Sequence, residues 1–378
     1  MPNSWIADRT RQFDSDGIRR MFELARKLKD PINLSIGQPD FAVPQLVKDE
    51  ITRAIRENKN GYTPTEGIAP LREKLQRTIV DPLEHSDRKL FVCSGTSGGL
   101  TLAMMSLINP GDEVIFFDPY FVMYPAIVEL VGGRPVIIDN YPDFRFDVGA
   151  VASAITPKTK MILLNSPANP TGVCPSPEEI REIALLAAER NICLVSDEIY
   201  SRFCYDAPHV SPARFNDQAI VVDGFSKPYA MTGLRAGYVH GPSEIIETMS
   251  KLQQLTFVCA PAPVQWGCIA ALDVDIQGEV DRYRLKRDYL LAELANDYEI
   301  AIPGGAFYVF PKLPWGDGDS FQNAAIAENL LIIPGKIFSR HDTHFRISYA
   351  VDDQTLERGI EVLKNLARNP VAFQPAGT

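Results

Sequence analysis

Through the middle of the chain, short apolar runs alternate with longer stretches in which apolar residues recur every three or four positions. LFVCS (90–94) leads into a Gly-rich turn and the helical run GLTLAMMSLI; EVIFF (113–117) leads into DPYF and a helical run to Gly132. KMILLN (160–165) precedes SPANPTG and the helical pattern PEEIREIALLAAER. NICLVSDE (191–198), AIVVDGFSK (219–227) and LRAGYVHG (234–241) follow. Apolar strands without polar alternation, separated by helices, predict an α/β architecture: a mostly parallel sheet covered on both faces.

The pattern changes near residue 275, after the stretch APAPVQWG. Beyond it lie strand candidates AFYVF (306–310) and HFRISYA (344–350), and Leu356, Ile360, Leu363 and Leu366 recur at helical spacing over 353–368. The expected organisation is a large α/β domain over 43–275 and a small α+β domain made of 1–42 together with 276–378. The Pro-rich tail after Arg368, NPVAFQPAGT, is expected to be loose.

Composition narrows the chemistry. The 378 residues carry 38 Lys and Arg against 48 Asp and Glu, a net charge of -10, which repels phosphate backbones and argues against a nucleic-acid partner. The six cysteines form no C-x-x-C pair and no zinc-type Cys/His spacing, so no metal site is expected. Four of them lie in or beside apolar runs, as reduced, buried thiols would. No apolar run approaches the roughly 20 residues of a membrane helix, and the polar N-terminus MPNSWIADRTRQF lacks the apolar stretch of a secretory signal. The expected location is the cytoplasm.

Four apolar runs end in reactive groups: Gly95-Thr96-Ser97-Gly98-Gly99; Asn165, reaching Asn169; Asp197, leading to Tyr200; and Ser226-Lys227. Ligands of open α/β sheets bind beyond the carboxyl ends of the strands, so these groups are expected to converge on one mouth. Taken singly, each has a plain reading: a tight turn, a helix cap, a solvated lysine. Together they complement one another. Glycines opening a helix let a phosphate approach backbone N–H groups. A lysine at the end of a buried strand has a lowered pKa and is nucleophilic toward an aldehyde. Arg235 can clamp a phosphate. With Asp197 facing a protonated ring nitrogen, these are the groups that pyridoxal phosphate requires.

The motifs SIGQPDF (35–41), GYTPTEGIAPLRE (61–73), SGTSGGL (94–100), NSPANPTG (165–172), SDEIY (196–200), GFSKPYAMTGLRAGY (224–238), PGGAFYVF (303–310) and FRISYA (345–350) run through nearly the whole chain. With them the sequence resembles a class I aminotransferase of the fold-type I pyridoxal-phosphate enzymes, in the aspartate and aromatic branch. The resemblance implies a seven-stranded, mostly parallel sheet sandwiched by helices, with a smaller α+β domain. It implies that Lys227 holds the cofactor as a Schiff base and shuttles the proton, that Asp197 pairs with the pyridine nitrogen, and that Tyr200 and Asn169 bond the phenolic oxygen. Thr96, Ser97, Ser226 and Arg235, at the Gly95 turn, would hold the phosphate, and Phe121 would stack on the ring. Tyr62 would reach the phosphate of the neighbouring subunit, implying a homodimer with shared sites. Arg346 would bind the substrate α-carboxylate, helped by Asn169 and the backbone near Gly37. The Asp118-Pro119 and Asn169-Pro170 bonds are expected to be cis. The implied activity is transfer of an amino group from an L-amino acid to a 2-oxo acid such as 2-oxoglutarate, in ping-pong fashion.

Two positions depart from the pattern. Gly224 stands where some relatives carry a hydroxyl three places before the lysine, and Ser97 stands where some aspartate-preferring relatives carry Lys. Another enzyme on the same scaffold, such as a C–S β-lyase, and a non-catalytic ligand-binding homologue remain alternatives at this stage.

Overall fold

In a computed structural model that describes residues 5–10, 26 and 28–369, the central apolar runs assemble into one seven-stranded sheet. The elements leading into it are β1 (Ile32–Asn33), α1 (Gln45–Arg56), α2 (Ala69–Leu75), β2 (Arg88–Cys93), α3 (Gly95–Leu107), β3 (Glu113–Asp118) and α4 (Met123–Leu130). The sheet continues with β4 (Arg134–Asp139), α5 (Val148–Ala154), β5 (Thr159–Asn165), α6 (Pro177–Glu189), β6 (Cys193–Asp197), β7 (Ile220–Gly224) and β8 (Gly237–Pro242). Then come α7 (Ser243–Thr256), α8 (Ala262–Ala271), α9 (Gln277–Leu294), β9 (Tyr308–Val309), α10 (Gly318–Ala327), β10 (Leu330–Leu331), β11 (Ile333–Pro334), β12 (Phe345–Ser348) and α11 (Asp353–Arg368).

The spatial order is β2-β8-β7-β6-β5-β3-β4. All neighbours are parallel except β8, which runs antiparallel to both β2 and β7. The strands read as unbroken apolar runs because both faces are covered. Along β5, Met161 and Leu163 enter one core and Ile162 and Leu164 the other. Along β3, Val114 and Phe116 alternate with Ile115 and Phe117 in the same way. The exception is β4, an edge strand that is mostly half-buried. Its apolar run, Val136-Ile137-Ile138, is short and lies between Arg134 and Asp139, and the strand was not anticipated from the pattern.

The reversal of β8 matters for the site. Gly237, its first residue, sits opposite both Cys93 and Gly224. The start of β8 thus lies at the carboxyl ends of its two neighbours, and Arg235, expected on the strand itself, stands in the turn just before it. The reversal also explains Gly224. A Cβ there would meet Gly237 Cα at 2.9 Å and Ala236 O at 3.1 Å, which leaves no room for a hydroxyl side chain.

The helices begin where their sequences say they should. Ser176 and Glu179 form a reciprocal capping box at the start of α6, with Pro177 in the first turn. Asp352 caps α11, which buries Leu356, Ile360, Leu363 and Leu366 as one stripe. In the C-terminal part, β11, β12 and β9 form an antiparallel sheet, and β1 pairs in parallel with β10, so residues near 32 join this part of the chain.

The peptide bonds before Pro119 and Pro170 are cis, as expected, and so are those before Pro142 and Pro167. Only Cys93 and Cys268 are buried; the other four cysteines are partly exposed, contrary to the expectation of buried thiols. Among the described residues no helix is long and apolar enough to cross a membrane. The tail beyond Asn369 lies outside the described residues.

Candidate active site

Four strand ends meet in a cavity of about 280 Å3. From β2, the chain enters α3 through Gly95, whose φ of +72° favours glycine. A Cβ at Gly95 would meet Arg235 Nη2 at 2.5 Å, so this glycine is what lets the guanidinium lie against the start of the helix. Arg235 has φ of +54° and donates from Nη1 to Thr232 O at 2.8 Å. Thr96, Ser97, Ser226 and Arg235 all line the cavity. The first amides of a helix have no partner within it, so hydroxyls, helix end and Arg235 make an anion-binding corner.

From β5, Asn165 fixes the following turn: its Nδ2 donates to Asp197 O at 3.1 Å, and its Oδ1 accepts from Asn169 N at 2.8 Å. Asn169 is thereby held with its Oδ1 accepting from Arg346 Nη1 at 2.9 Å. Arg346 Nη2 donates to Ser35 O at 2.9 Å, and the guanidinium lies over the rings of Phe338 and Tyr308 at 4.5 and 4.6 Å. Its buried Nε has no protein partner. A buried guanidinium lining the cavity is suited to an incoming carboxylate.

From β6, Asp197 is 3% exposed. Burial pushes its carboxyl up to about 6, held from going further by donation from Tyr124 Oη at 2.9 Å and Ile199 N at 3.4 Å. Tyr200 shares a hydrogen bond of 2.8 Å with Tyr308 Oη. From β7, the chain reaches Lys227, whose Nζ donates to Gly37 O at 2.5 Å. Burial, then the charges of Arg346 and Arg235, pull Lys227 down to about 8 against the opposing pull of Asp197. Gly37 itself must be a glycine, because a Cβ would meet Tyr308 Oη at 2.5 Å.

The cavity therefore gathers Gly37, Thr96, Ser97, Phe121, Asn169, Asp197, Tyr200, Ser226, Lys227, Arg235 and Arg346, with Gly95 beneath it. Tyr62 is not among its lining residues and is 89% exposed. Sequence reasoning missed Tyr124, Tyr308 and Ser35. Tyr124 lies three residues after Phe121, where an aromatic reads as core, and Tyr308 sits within an apolar strand. A larger open groove of about 1000 Å3 near Arg77, Lys89 and Glu247 holds none of the converging groups, so size does not locate the chemistry.

Residues 29–363 match the model of the aminotransferase class I and II family. The chain belongs to this family. The aminotransferase is 36% identical over 374 residues to a probable aspartate aminotransferase of Methanocaldococcus jannaschii, covering 96% of this chain and 99% of that protein. Its fold is similar to that of the Thermus thermophilus aspartate aminotransferase with maleate (TM-score 0.89, 32% identity, 96% and 99% of the two chains). It is also similar to that of the aromatic aminotransferase from Pyrococcus horikoshii (TM-score 0.86, 30% identity, 93% and 99%). The aminotransferase uses pyridoxal 5'-phosphate, and the cavity fits that group. It offers an anion corner built around Gly95, a buried carboxylate at Asp197 and a desolvated amine at Lys227, with the Arg346 guanidinium on the same cavity wall.

Proposed function

We propose that the Lys227 cavity is where this aminotransferase moves the amino group of an L-amino acid, aspartate or an aromatic one, to a 2-oxo acid such as 2-oxoglutarate by a ping-pong sequence. The observation that carries this reading is the state of Lys227. Burial and the charges of Arg346 and Arg235 lower its amine to about 8, so about a tenth is neutral at pH 7, far more than for an ordinary lysine, and can act as nucleophile and base. Relatives acting on aspartate and on aromatic amino acids support the donor class.

Bound there, pyridoxal phosphate supplies an aldehyde carbon that engages amines and a ring that accepts the electron pair released at the substrate α-carbon. Thr96, Ser97, Ser226, Arg235 and the start of α3 would hold its phosphate, and Phe121 would cover one ring face. Asp197 would keep the ring nitrogen protonated. A cation at that nitrogen lowers the cost of ionising a carboxyl which, left alone, burial holds near 6. Tyr200, oriented by Tyr308, and Asn169, oriented by Asn165, would donate to the phenolic oxygen. Arg346 would bind the α-carboxylate beside Asn169 and the Gly37 backbone, placing the α-proton within reach of Lys227. Lys227 would take that proton and return it one carbon away.

The same reading assigns residues 43–275 to a large cofactor-binding domain and 1–42 with 276–378 to a small one. It also makes the functional unit a homodimer, in which the exposed Tyr62 serves the partner's phosphate corner. The free state of all six cysteines supports a cytoplasmic setting. The test is chemical. Borohydride reduction of the loaded protein should leave the phosphopyridoxyl mass on the peptide holding Lys227, and a screen of amino acids against 2-oxoglutarate should show donor-dependent glutamate formation. A label on another lysine would refute the assignment.

A further inference from the structure

Away from the Lys227 cavity, a second opening of about 480 Å3 is lined by Cys174, Cys204 and His209. Cys174 follows the cis-proline turn after β5, and Cys204 follows β6. Both flank the segment 303–305. Cys204 bridges Gly305 in antiparallel fashion, Tyr205 N donates to Gly304 O at 2.9 Å, and Gly305 N donates to Gly172 O at 3.0 Å. A Cβ at Gly304 would meet Cys174 Sγ at 3.2 Å, so the bare glycine admits the thiol. The Cys204 loop is braced from α9. Arg287 grips Asp206 at 2.6 and 3.1 Å and Pro303 O at 2.9 Å.

Cys174, Cys204 and His209 thus share one opening, on either side of the 303–305 segment. His209 Nε2 is paired at 3.0 Å with the buried Glu198 Oε2, while Glu198 Oε1 accepts from Ser211 Oγ at 2.7 Å. Burial alone would discharge His209, but the Glu198 charge and the Cys204 contact outweigh it and keep the imidazole cationic. The neighbouring Cys174 and the His209 cation then hold Cys204 below the ordinary thiol range, against burial and the Glu198 charge. Cys174 is held above that range by its bond to Cys204 and by burial, with Asp206 adding to the effect and Arg145 opposing it. The pair is therefore asymmetric: the Cys204 thiol is held below the ordinary range and the Cys174 thiol above it, and both line the opening. Such asymmetry is what attacking and resolving thiols require.

We propose that Cys204 and Cys174 form a thiol–disulfide exchange site that takes a low-molecular-weight disulfide. The Cys204 thiolate attacks one sulfur of the disulfide, breaks its S–S bond and releases one thiolate, leaving a mixed disulfide on Cys204. Cys174 loses its proton to the departing thiolate and attacks Cys204 Sγ, which expels the second group as a thiolate that takes a proton from solvent. One external disulfide is reduced to two thiols, and the two cysteines are oxidised to one internal disulfide. His209, kept cationic by Glu198, supplies the positive charge that favours the attacking thiolate.

Glutathione disulfide is the probe, applied to the pyridoxal-phosphate-loaded protein, with acid quenching and non-reduced peptide mapping. The expected product is a Cys174–Cys204 disulfide, formed with release of two glutathione thiols per chain and reversed by dithiothreitol. In Cys174→Ser, the reaction should stop with one glutathione on Cys204. Iodoacetamide at neutral pH should alkylate Cys204 about tenfold faster than Cys259, since a lower pKa raises the thiolate fraction more than it lowers nucleophilicity. His209→Gln should remove most of that advantage. Glutathione scattered over the partly exposed cysteines would overturn the proposal. So would a Cys204 alkylation rate equal to that of Cys259 and indifferent to His209. Retained cofactor absorbance in each variant ensures that a negative result comes from folded protein.

Discussion

Tyr124 Oη donates to Asp197 Oδ2 at 2.9 Å across the floor of the cavity. The bond ties α4 to the end of β6 and offsets part of the desolvation that lifts the Asp197 carboxyl to about 6. Removing a donor to a carboxylate destabilises the anion, so the pKa moves up. In Tyr124→Phe the acid limb of the kcat/KM profile is expected to move to higher pH by about one unit, the scale of one neutral hydrogen bond to a charged group. An acid limb that stays in place in the variant would separate Tyr124 from the titration of Asp197.

Lys227 carries an electrostatic penalty in the folded site, and that penalty should appear as lost stability without cofactor. Its pKa is lowered from an ordinary 10.5 to about 8. Below the folded value both folded and unfolded chains hold the proton, so the folded state bears the whole penalty. Between about 8 and 10.5 the unfolded chain binds more protons, and stability rises with pH. Lys227→Met in the cofactor-free protein is expected to be more stable at pH 7 by on the order of 2 kcal/mol, with a Tm several degrees higher. That gain should shrink as pH rises through this window. Thermal unfolding of both proteins across the pH range checks it, and a variant no more stable than its parent at pH 7 would refute it.

Much of this site was legible in the sequence because strands buried on both faces announce themselves as apolar runs, and their polar ends then stand out. Gly95, Asn169, Asp197 and Lys227 were found in that way. Other parts had no such signal. Arg235 was named from the stretch after Lys227, but the reversal of β8 between β2 and β7 that brings it to the cavity is a pairing that periodicity does not encode. Tyr124 and Tyr308 look like core aromatics, and each is one, apart from a single hydroxyl that bonds a functional residue. The cluster of Cys174, Cys204, His209 and Glu198 joins residues from two loops and a strand end. Cysteine spacing, which shows no C-x-x-C pair, could not reveal it.

Gly95 and Arg235 should act as one unit. In Gly95→Ala the new methyl displaces the guanidinium from a contact of 2.5 Å and strains a backbone at φ of +72°. Loss of a charge-assisted bond, worth about 1.5–3 kcal/mol, predicts about 10- to 100-fold weaker binding of pyridoxal phosphate. Arg235→Gln should weaken it to a similar degree. The double variant should be little worse than either single one, because both remove the same contact. Cofactor titration by absorbance gives all of the affinities in the cycle. Full additivity would mean that Gly95 serves the helix turn alone.

The exposed Tyr62 yields the last prediction, because a residue that serves a partner's site can be supplied by a different chain from the one that supplies the lysine. Lys227→Ala lacks the amine but retains Tyr62, and Tyr62→Ala retains the amine but is expected to bind the cofactor weakly. If sites are shared, mixing the two under conditions of subunit exchange creates hybrids in which one site joins Lys227 of one chain to Tyr62 of the other. That site is of wild-type composition, and its companion lacks both groups. At cofactor concentrations too low to load Tyr62→Ala, activity should therefore rise on mixing, toward about one quarter of that of the same amount of wild-type protein if exchange is random. The rise should follow the kinetics of subunit exchange and be absent when exchange is blocked by cross-linking each parent first. Tyr62→Ala loading normally on its own would remove the premise, and a mixture no more active than the sum of its parents would place Tyr62 outside the partner's site.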